Sequence, residues 1–154
     1  MRETTLKKNY ERYFTQEEKL RRLVFRWVPE DTTGLLDLGC KDGNITSSYQ
    51  KKAKSVAAVD KDYASVLSAK RRFPDLKLFV GRAEELPIKT GCFHILVASE
   101  LLQYLTEPQR AIAEMHRVLK PGGLLILSVP HKGPGYQLAN PGNITDRWRN
   151  KRFL

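Results

Sequence analysis

Residues 35–46, which read LLDLGCKDGNIT, place a carboxylate and two glycines in an otherwise apolar stretch. Asp37 lies among leucines, and Gly39 and Gly43 follow it. Glycines at the end of a strand let the backbone approach a ligand closely, and the first turn of a following helix offers N–H groups. The stretch therefore predicts a ligand-binding loop after a buried strand.

A second carboxylate, Asp60, ends the next apolar run, which reads SVAAVD over residues 55–60. Asp60 follows Gly39 by about 20 residues, the spacing at which a carboxylate accepts hydrogen bonds from ribose hydroxyls in a βαβ unit. The two segments together predict a ligand that contains a ribose.

The loop itself lacks the patterns that bind phosphate groups. Its glycines are spaced G-x-x-x-G, whereas a dinucleotide loop reads G-x-G-x-x-G and a phosphate loop reads G-x-x-x-x-G-K-[ST]. Asp37 and Asp42 disfavour a pyrophosphate and suit a ligand that carries positive charge. S-adenosylmethionine meets these conditions, because it has an amino group, a sulfonium and a ribose but no phosphate.

Alternating helix and strand patterns position these residues. Apolar runs predict strands at residues 34–38, 55–60, 76–81, 93–100 and 124–130, and helical spacing predicts helices at 15–28, 43–53, 63–73 and 106–119. Thr15 and Glu18 form a capping box for the first helix, and Thr106 and Pro108 are expected to open the last one.

Strands that are apolar almost throughout, and that alternate with helices, predict a parallel sheet covered on both faces. Right-handed crossovers make this an α/β, doubly wound, Rossmann-like sheet in three layers. We expect five parallel strands in the order 3-2-1-4-5.

The length and composition fit one packed domain. The chain has 154 residues, of which 41% are hydrophobic, and we expect one domain over 1–154 with its core at about 15–130 and a basic tail at 131–154. No apolar run approaches the roughly 20 residues of a membrane helix, and the N-terminus lacks a secretory signal, so a cytoplasmic location is expected. Cys40 and Cys92 lack metal-site spacing and are expected to be reduced thiols without a metal.

Four segments in order resemble the class I S-adenosylmethionine-dependent methyltransferases of the small Rossmann-like kind. LLDLGCKDGNIT resembles the first motif, VAAVDKD the acidic end of the second strand, GRAEELPIKTGCFHILVASELLQYL the adenine-side loop and fourth strand, and EMHRVLKPGGLLILSVP the fifth strand. The resemblance covers about residues 15–130 and implies methyl transfer from S-adenosylmethionine, with S-adenosylhomocysteine as product. The family usually adds a hairpin of two further strands, so the chain resembles a C-terminally short member.

The resemblance also implies cofactor-binding roles for residues of the first two strands. Asp37 would lie below the loop and orient it or the cofactor's amino group, and the backbone of Gly39 and Cys40 would contact the methionine part. Asp60 would hold both ribose hydroxyls, and Lys61 would flank the adenine. Gly43 closes the same loop and is included in the predicted site.

On the adenine side, the resemblance implies that the Ala83 N–H contacts the ring and that Ser99 lies near the amino end of the cofactor. Lys41 stands where the family usually has its middle glycine. Arg82 stands where the family often has an aspartate that accepts the adenine amino protons. A guanidinium cannot accept a hydrogen bond, so Arg82 is expected to stack on the ring or Glu84 to serve as the acceptor.

Methyl transfer is a displacement at an activated carbon, and a hydroxyl or amine acceptor also needs a base. Candidates for that base near the strand ends are Glu100, Tyr104 and His131. The expected acceptor is a small molecule, a lipid or a glycan-linked group. The net charge of +10 also favours an anionic acceptor. The alternatives are an RNA-directed methyltransferase and a non-catalytic cofactor-binding or scaffold subunit.

The apolar edge of the fifth strand is expected to be covered by the tail or to pair with a second copy of the chain.

Overall fold

The computed structural model describes residues 16–129. Its helices are α1 Gln16–Trp27, α2 Asn44–Ser48, α3 Tyr63–Arg72 and α4 Pro108–Val118, with single 3₁₀ turns at Tyr49–Lys51 and Leu102–Tyr104. Its strands are β1 Leu35–Leu38, β2 Val56–Asp60, β3 Lys77–Val80, β4 Phe93–Ser99 and β5 Leu119–Ser128. The alternation predicted from the sequence is confirmed.

The five strands form one sheet in the order β3-β2-β1-β4-β5. Every neighbouring pair is parallel. β1 lies in the middle, where Leu36 is in register with Ala57 of β2 and Leu96 of β4. The predicted doubly wound sheet is therefore confirmed, and its central strand is the one that leads into the glycine loop.

The sheet has helices on both faces because its side chains alternate between two apolar clusters. Leu36 and Leu38 pack on one face with Met115 of α4. Leu35 packs on the other face with Val24 of α1. All four strand positions of β1 are buried, as a central parallel strand requires. The three-layer arrangement is confirmed.

Three predicted boundaries are wrong. Helix α2 ends at Ser48, and a 3₁₀ turn at Tyr49–Lys51 follows it in place of the helix predicted to residue 53. Helix α4 has Glu107 rather than Thr106 at its N-cap, and no side chain caps it; Pro108 occupies the first turn as expected. Strand β5 begins at Leu119 instead of residue 124, because the KPGG segment continues it through an irregularity opposite β4. Gly122 has a φ of 75° there, a conformation that glycine adopts without strain. Thr15 of the predicted capping box lies outside the described residues.

Strand β5 forms one edge of the sheet. Leu124 and Val129 are 43% and 46% exposed near this edge. Pairing of the edge with a second chain, or cover by the tail at 131–154, stays a prediction, because the tail lies outside the described residues. No helix in the described part of the chain is long and apolar enough to cross a membrane.

Candidate functional site

A cleft of about 820 Å³ lies at the carboxyl ends of the strands. Segments 38–42, 59–62, 81–84 and 99–101 provide most of its lining. Its volume falls in the range of small-molecule sites, roughly 300–1,000 Å³. In doubly wound sheets this edge is where ligands bind.

Seven of the nine predicted cofactor-binding residues line the cleft: Gly39, Cys40, Asp60, Lys61, Ala83, Glu84 and Ser99. The structure thus brings together residues that lie up to 60 positions apart in the chain. Asp37 and Gly43 are not part of the lining, and their contacts place them behind the loop.

Four of the five backbone N–H groups in residues 39–43 donate hydrogen bonds inside the protein, those of Gly39, Cys40, Lys41 and Gly43. Gly39 N–H donates to the Val59 carbonyl at 2.8 Å, and Gly43 N–H donates to the Cys40 carbonyl at 3.0 Å. Lys41 N–H donates to Oδ2 of Asp60 at 2.8 Å. A phosphate-binding loop instead presents such N–H groups to its ligand, so this loop is built for a ligand without phosphate at that position.

Asp60 joins the ends of β1 and β2. Its Oδ2 accepts the Lys41 N–H, and its Oδ1 accepts the Asp62 N–H at 2.9 Å. A carboxylate has about four acceptor positions, so each oxygen can accept one more hydrogen bond from a ligand. Asp60 therefore faces the cleft with its orientation fixed and with acceptor capacity left over.

Helix α3 begins directly beside Asp60. The Asp62 carboxylate caps the helix by accepting the Ser65 N–H at 2.9 Å. The pKa of Asp62 lies below its usual value, chiefly because of its hydrogen bonds with Ser65. The cap is therefore charged at neutral pH.

Gly43 allows the loop to pack tightly on α3. Its φ is 76°, and a Cβ at this position would lie 3.0 Å from Cβ of Ala69. Beside it, Arg72 donates from Nη1 to the Asp42 carboxylate at 2.8 Å and from Nη2 to Oδ1 of Asn44 at 2.7 Å. These contacts fix the back of the loop, so Gly43 has a packing role here.

Asp37 explains why a strand interior contains a carboxylate. It is 2% exposed, and its Oδ2 accepts a hydrogen bond from the Thr46 hydroxyl at 2.5 Å. Thr46 is itself fully buried in α2. The pair ties α2 to β1 beneath the loop, which fits the predicted orienting role of Asp37 towards the loop.

We expect Thr46→Val to lower the free energy of unfolding by about 1–3 kcal/mol, since it leaves the buried Asp37 carboxylate without that donor while keeping the side-chain volume. The urea midpoint at pH 7 measures this loss. Thr33→Val is the matched control, because Thr33 is exposed. An equal midpoint shift in the two variants would mean that the Asp37–Thr46 hydrogen bond contributes nothing specific.

Lys41 occupies a backbone conformation that suits glycine. Its φ is 50°, and the left-handed region costs an L-residue with a Cβ roughly 1–2 kcal/mol. The methyltransferases that this loop resembles usually have the middle glycine of the motif at this position. The chain therefore keeps the loop geometry with a lysine and accepts strain for it.

A pair of variants separates this strain from the lysine side chain. Lys41→Ala removes the side chain beyond Cβ, and Lys41→Gly also removes Cβ. We expect the glycine variant to be more stable than the alanine variant by about 1 kcal/mol, as measured by urea unfolding. A more stable alanine variant would contradict a strained Lys41.

The segment after β3 forms the wall of the cleft that is predicted to contact the adenine. Ala83 and Glu84 are buried. Nη2 of Arg82 lies 3.4 Å from Oε1 of Glu84, while the Arg82 side chain is 63% exposed. Glu84 is thus a buried acceptor at the wall, and Arg82 lies at the rim, where its planar guanidinium can stack on a ring.

Sequence reasoning missed two residues that hold this wall. Glu114 and Arg117 of α4 form an ion pair at 2.6 Å, and both also bond to the backbone at Leu86. The Glu-x-x-Arg spacing predicts a pair on the helix surface. It does not predict a contact with a loop about 30 residues earlier in the chain.

This ion pair shifts both pKa values. The pKa of Glu114 lies below its usual value, chiefly because of its hydrogen bond with Arg117, and the same bond raises the pKa of Arg117. The resulting stabilisation is fully present above the pKa of an unfolded glutamate, about 4.3, and is lost as pH falls through the lower folded pKa. The pair is therefore intact at neutral pH.

Glu100 lies at the opposite wall, directly after β4. Its φ is 53°, and its N–H donates to the Ser128 carbonyl at 3.0 Å and to Oγ of Ser128 at 3.1 Å. Oγ of Ser99 lies 3.0 Å from the same Ser128 hydroxyl. The β4–β5 pairing thus holds Glu100 in a strained backbone conformation, a feature that clusters at functional sites.

The side chain of Glu100 carries an acceptor without a donor. Gln103 Nε2 donates to its Oε2 at 3.2 Å. Within the described part of the chain, the buried Oε1 atoms of both Glu100 and Gln103 have no hydrogen-bond partner. Glu100 lines the cleft and Gln103 does not, so the Glu100 carboxylate is the group that can meet a hydrogen-bond donor of a ligand.

The other predicted base candidates differ in position. Tyr104 lines the cleft but is 70% exposed, and His131 lies outside the described residues. No cluster of three or more His, Cys, Asp or Glu within residues 16–129 is arranged to hold a metal ion.

The charge of the cleft fits a cationic ligand. Five carboxylates line it, at Asp42, Asp60, Asp62, Glu84 and Glu100, against three basic groups at Lys41, Lys61 and Arg82. Together with the acceptor capacity of Asp60 and the used N–H groups of the loop, this lining fits S-adenosylmethionine, whose sulfonium and amino group are positive.

Comparison with known proteins agrees with this chemistry. A family model described as a methyltransferase domain matches residues 36–127. The chain is 35% identical over 103 residues to a demethylmenaquinone methyltransferase from Renibacterium salmoninarum, covering 65% of this chain and 44% of that protein. It is 27% identical over 116 residues to a malonyl-[acyl-carrier protein] O-methyltransferase from Serratia marcescens, covering 75% and 46%.

Among solved structures, the chain resembles an S-adenosylmethionine-dependent methyltransferase from Mesorhizobium loti. The TM-score is 0.62 at 22% identity, over 70% of this chain and 52% of the other. This likeness supports the fold. The chain spans less than half the length of the two relatives named above.

Proposed function

The chain belongs to the class I S-adenosylmethionine-dependent methyltransferases, and we propose that it transfers a methyl group to a small-molecule, lipid or glycan-linked acceptor. The observation that carries the proposal is the glycine loop that Asp60 fixes. The N–H groups of this loop donate hydrogen bonds inside the protein, and the Asp60 carboxylate keeps acceptor positions that face the cleft. S-adenosylmethionine, when bound, supplies a methyl group activated by its sulfonium.

We assign the cofactor-binding roles as follows. Asp60 accepts hydrogen bonds from the ribose hydroxyls, and Lys61 lies beside the adenine. Ala83 and Glu84 contact the adenine from the buried wall. Ser99 and the backbone of Gly39 and Cys40 lie beside the methionine part of the cofactor. Asp37 and Gly43 act through the loop that they support.

Glu100 is the residue of this chain that we assign to the acceptor. Its carboxylate lines the cleft and can accept the proton of a hydroxyl or amine group, or hold that group by a hydrogen bond. Leu101 and Leu105 line the cleft next to Glu100 and can exclude water from the apolar part of an acceptor molecule. Tyr104 provides an outer wall.

The acceptor class is supported by the relatives. One is named for demethylmenaquinone and another for the malonyl group of an acyl carrier protein, so both modify small organic groups. An anionic acceptor stays a prediction, since carboxylates outnumber the basic side chains of the cleft. The net charge of +10 is the observation that favours the RNA-directed alternative. The cytoplasmic location, the homodimer and the single domain over 1–154 stay predictions.

Transfer of tritium from methyl-labelled S-adenosylmethionine tests the function. The protein is incubated with a small-molecule and lipid extract or with total RNA at two salt concentrations. We expect label in the extract and none in RNA. Label in RNA that decreases with salt would support the RNA-directed alternative, and label in neither, despite cofactor binding, would support a non-catalytic cofactor-binding subunit.

A further inference from the structure

Arg117 reaches from α4 to the loop that forms the adenine side of the cleft. Its Nη1 donates to the Ile88 carbonyl at 2.8 Å, and its Nη2 donates to the Leu86 carbonyl at 3.2 Å. Nη1 also lies 3.4 Å from Oγ1 of Thr90. One guanidinium therefore contacts three positions within five residues of this loop.

Glu114 completes the contact from the next turn of the same helix. Its Oε1 accepts from Nε of Arg117 at 2.6 Å, and its Oε2 accepts from Nη2 at 2.7 Å. The same Oε2 also accepts the Leu86 N–H at 2.7 Å. The planar fork of Arg117 is thus held in a two-point pair with a carboxylate, and Leu86 is bonded through both its N–H and its carbonyl.

The loop between β3 and β4 has little regular structure of its own. Residues 81–92 contain one isolated antiparallel bridge, between Arg82 and Glu85. Its cleft-lining residues Ala83 and Glu84 precede Leu86 by only two or three positions. A loop of this length has many conformations, so the wall that they form depends on what ties Leu86 down.

We propose that Glu114 and Arg117 are positioning residues for the cofactor, acting through the segment 86–90 to hold Ala83 and Glu84 in place at the cleft. The inference rests on the proposed function, because the ligand of that wall is the adenine of S-adenosylmethionine. Neither side chain lines the cleft, so both act on the cofactor only through the loop. Removing either side chain raises the fraction of molecules in which Ala83 and Glu84 are displaced. The apparent Kd rises because only the remaining fraction is competent to bind.

The test uses Arg117→Ala, Arg117→Lys and Glu114→Gln in the full chain. Calorimetry, well below each variant's melting temperature, gives the Kd for S-adenosylhomocysteine, and hydrogen exchange gives the protection of amides 83–88. We expect Arg117→Ala to raise the Kd about three- to tenfold and to speed exchange at these amides while β1 and β4 stay protected. Arg117→Lys keeps the charge but not the fork, so its effect is intermediate. Glu114→Gln still accepts the Leu86 N–H, so its effect is the smallest.

Arg110→Ala is the matched control. Arg110 lies on the same helix and pairs with Glu107 at the same three-residue spacing, but it has no hydrogen bond to the loop. We expect this variant to leave both the Kd and the loop exchange unchanged. If Arg117→Ala does not fold, Arg117→Lys and Glu114→Gln carry the same comparison.

The outcomes separate the two claims. If the wild-type chain does not bind S-adenosylhomocysteine, the proposed function is overturned. If the wild-type chain binds S-adenosylhomocysteine, and both Arg117 variants have the wild-type Kd and the wild-type exchange at amides 83–88, the positioning role is overturned. A lower melting temperature with an unchanged Kd would also overturn it, because that result shows a role in stability alone.

Discussion

Asp60→Ala is expected to weaken the binding of S-adenosylmethionine and S-adenosylhomocysteine by about tenfold or more. The change removes the charged acceptor of the two ribose hydrogen bonds proposed above, each worth about 1.5–3 kcal/mol. It also removes the acceptor of the Lys41 and Asp62 N–H groups, so the loop loses one of its hydrogen bonds to β2. Calorimetric titration measures the change in Kd.

Two further variants sharpen this result. Asp60→Asn keeps the size of the side chain but turns one acceptor oxygen into an N–H donor. That donor must face either a backbone N–H group or a ribose hydroxyl, so we expect a loss of affinity close to that of Asp60→Ala. Asp75→Ala removes the same charge from an exposed turn before β3 and is expected to leave the Kd unchanged. An Asp60→Ala variant with wild-type affinity would show that Asp60 only shapes the strand end.

Glu100→Gln is expected to lower the rate of methyl transfer by about a hundredfold while the Kd for S-adenosylhomocysteine stays unchanged. A positioned proton acceptor contributes roughly 10²–10⁴ to such a rate, and glutamine cannot take a proton. Tritium transfer to the extract that the wild-type chain methylates measures the rate. Equal rates in the two proteins would remove Glu100 from the acceptor side of the mechanism.

The same substitution has an opposite effect on stability. Glutamine brings N–H donors to a place where Glu100 and Gln103 leave two buried acceptors unpaired, so we expect the free energy of unfolding to rise by about 1 kcal/mol. Glu85→Gln, at an exposed position of the adenine-side loop, is the control for both measurements. A variant that loses both activity and stability would point to a structural role for Glu100.

Local patterns predicted the strands and their order well, because parallel strands buried on both faces need long apolar runs. The spacing of Gly39 and Asp60 placed both at the cleft for the same reason: the ends of neighbouring parallel strands meet at one edge. Boundaries failed where the chain departs from a regular element, as at the irregular start of β5, since such pairing depends on the neighbouring strand.

Long-range partners could not be predicted from the sequence. Nothing in the residues near Asp37 shows that Thr46 satisfies it, and nothing near Arg117 shows that its guanidinium binds carbonyls about 30 positions earlier. The strain at Glu100 depends on Ser128 of a different strand. These contacts arise only when the sheet and α4 are assembled, and they are the ones that give the cleft its walls.

The central claim is that the cleft binds S-adenosylmethionine and its product S-adenosylhomocysteine, adenosine ligands that have an amino group and no phosphate. Its most direct test is a calorimetric titration of the chain with S-adenosylhomocysteine, repeated in the presence of excess ATP. We predict saturable binding of S-adenosylhomocysteine that Asp60→Ala weakens and that ATP does not displace, because the N–H groups of the glycine loop are engaged and carboxylates predominate in the cleft. No binding of S-adenosylhomocysteine, or its displacement by ATP at comparable concentration, would contradict the account.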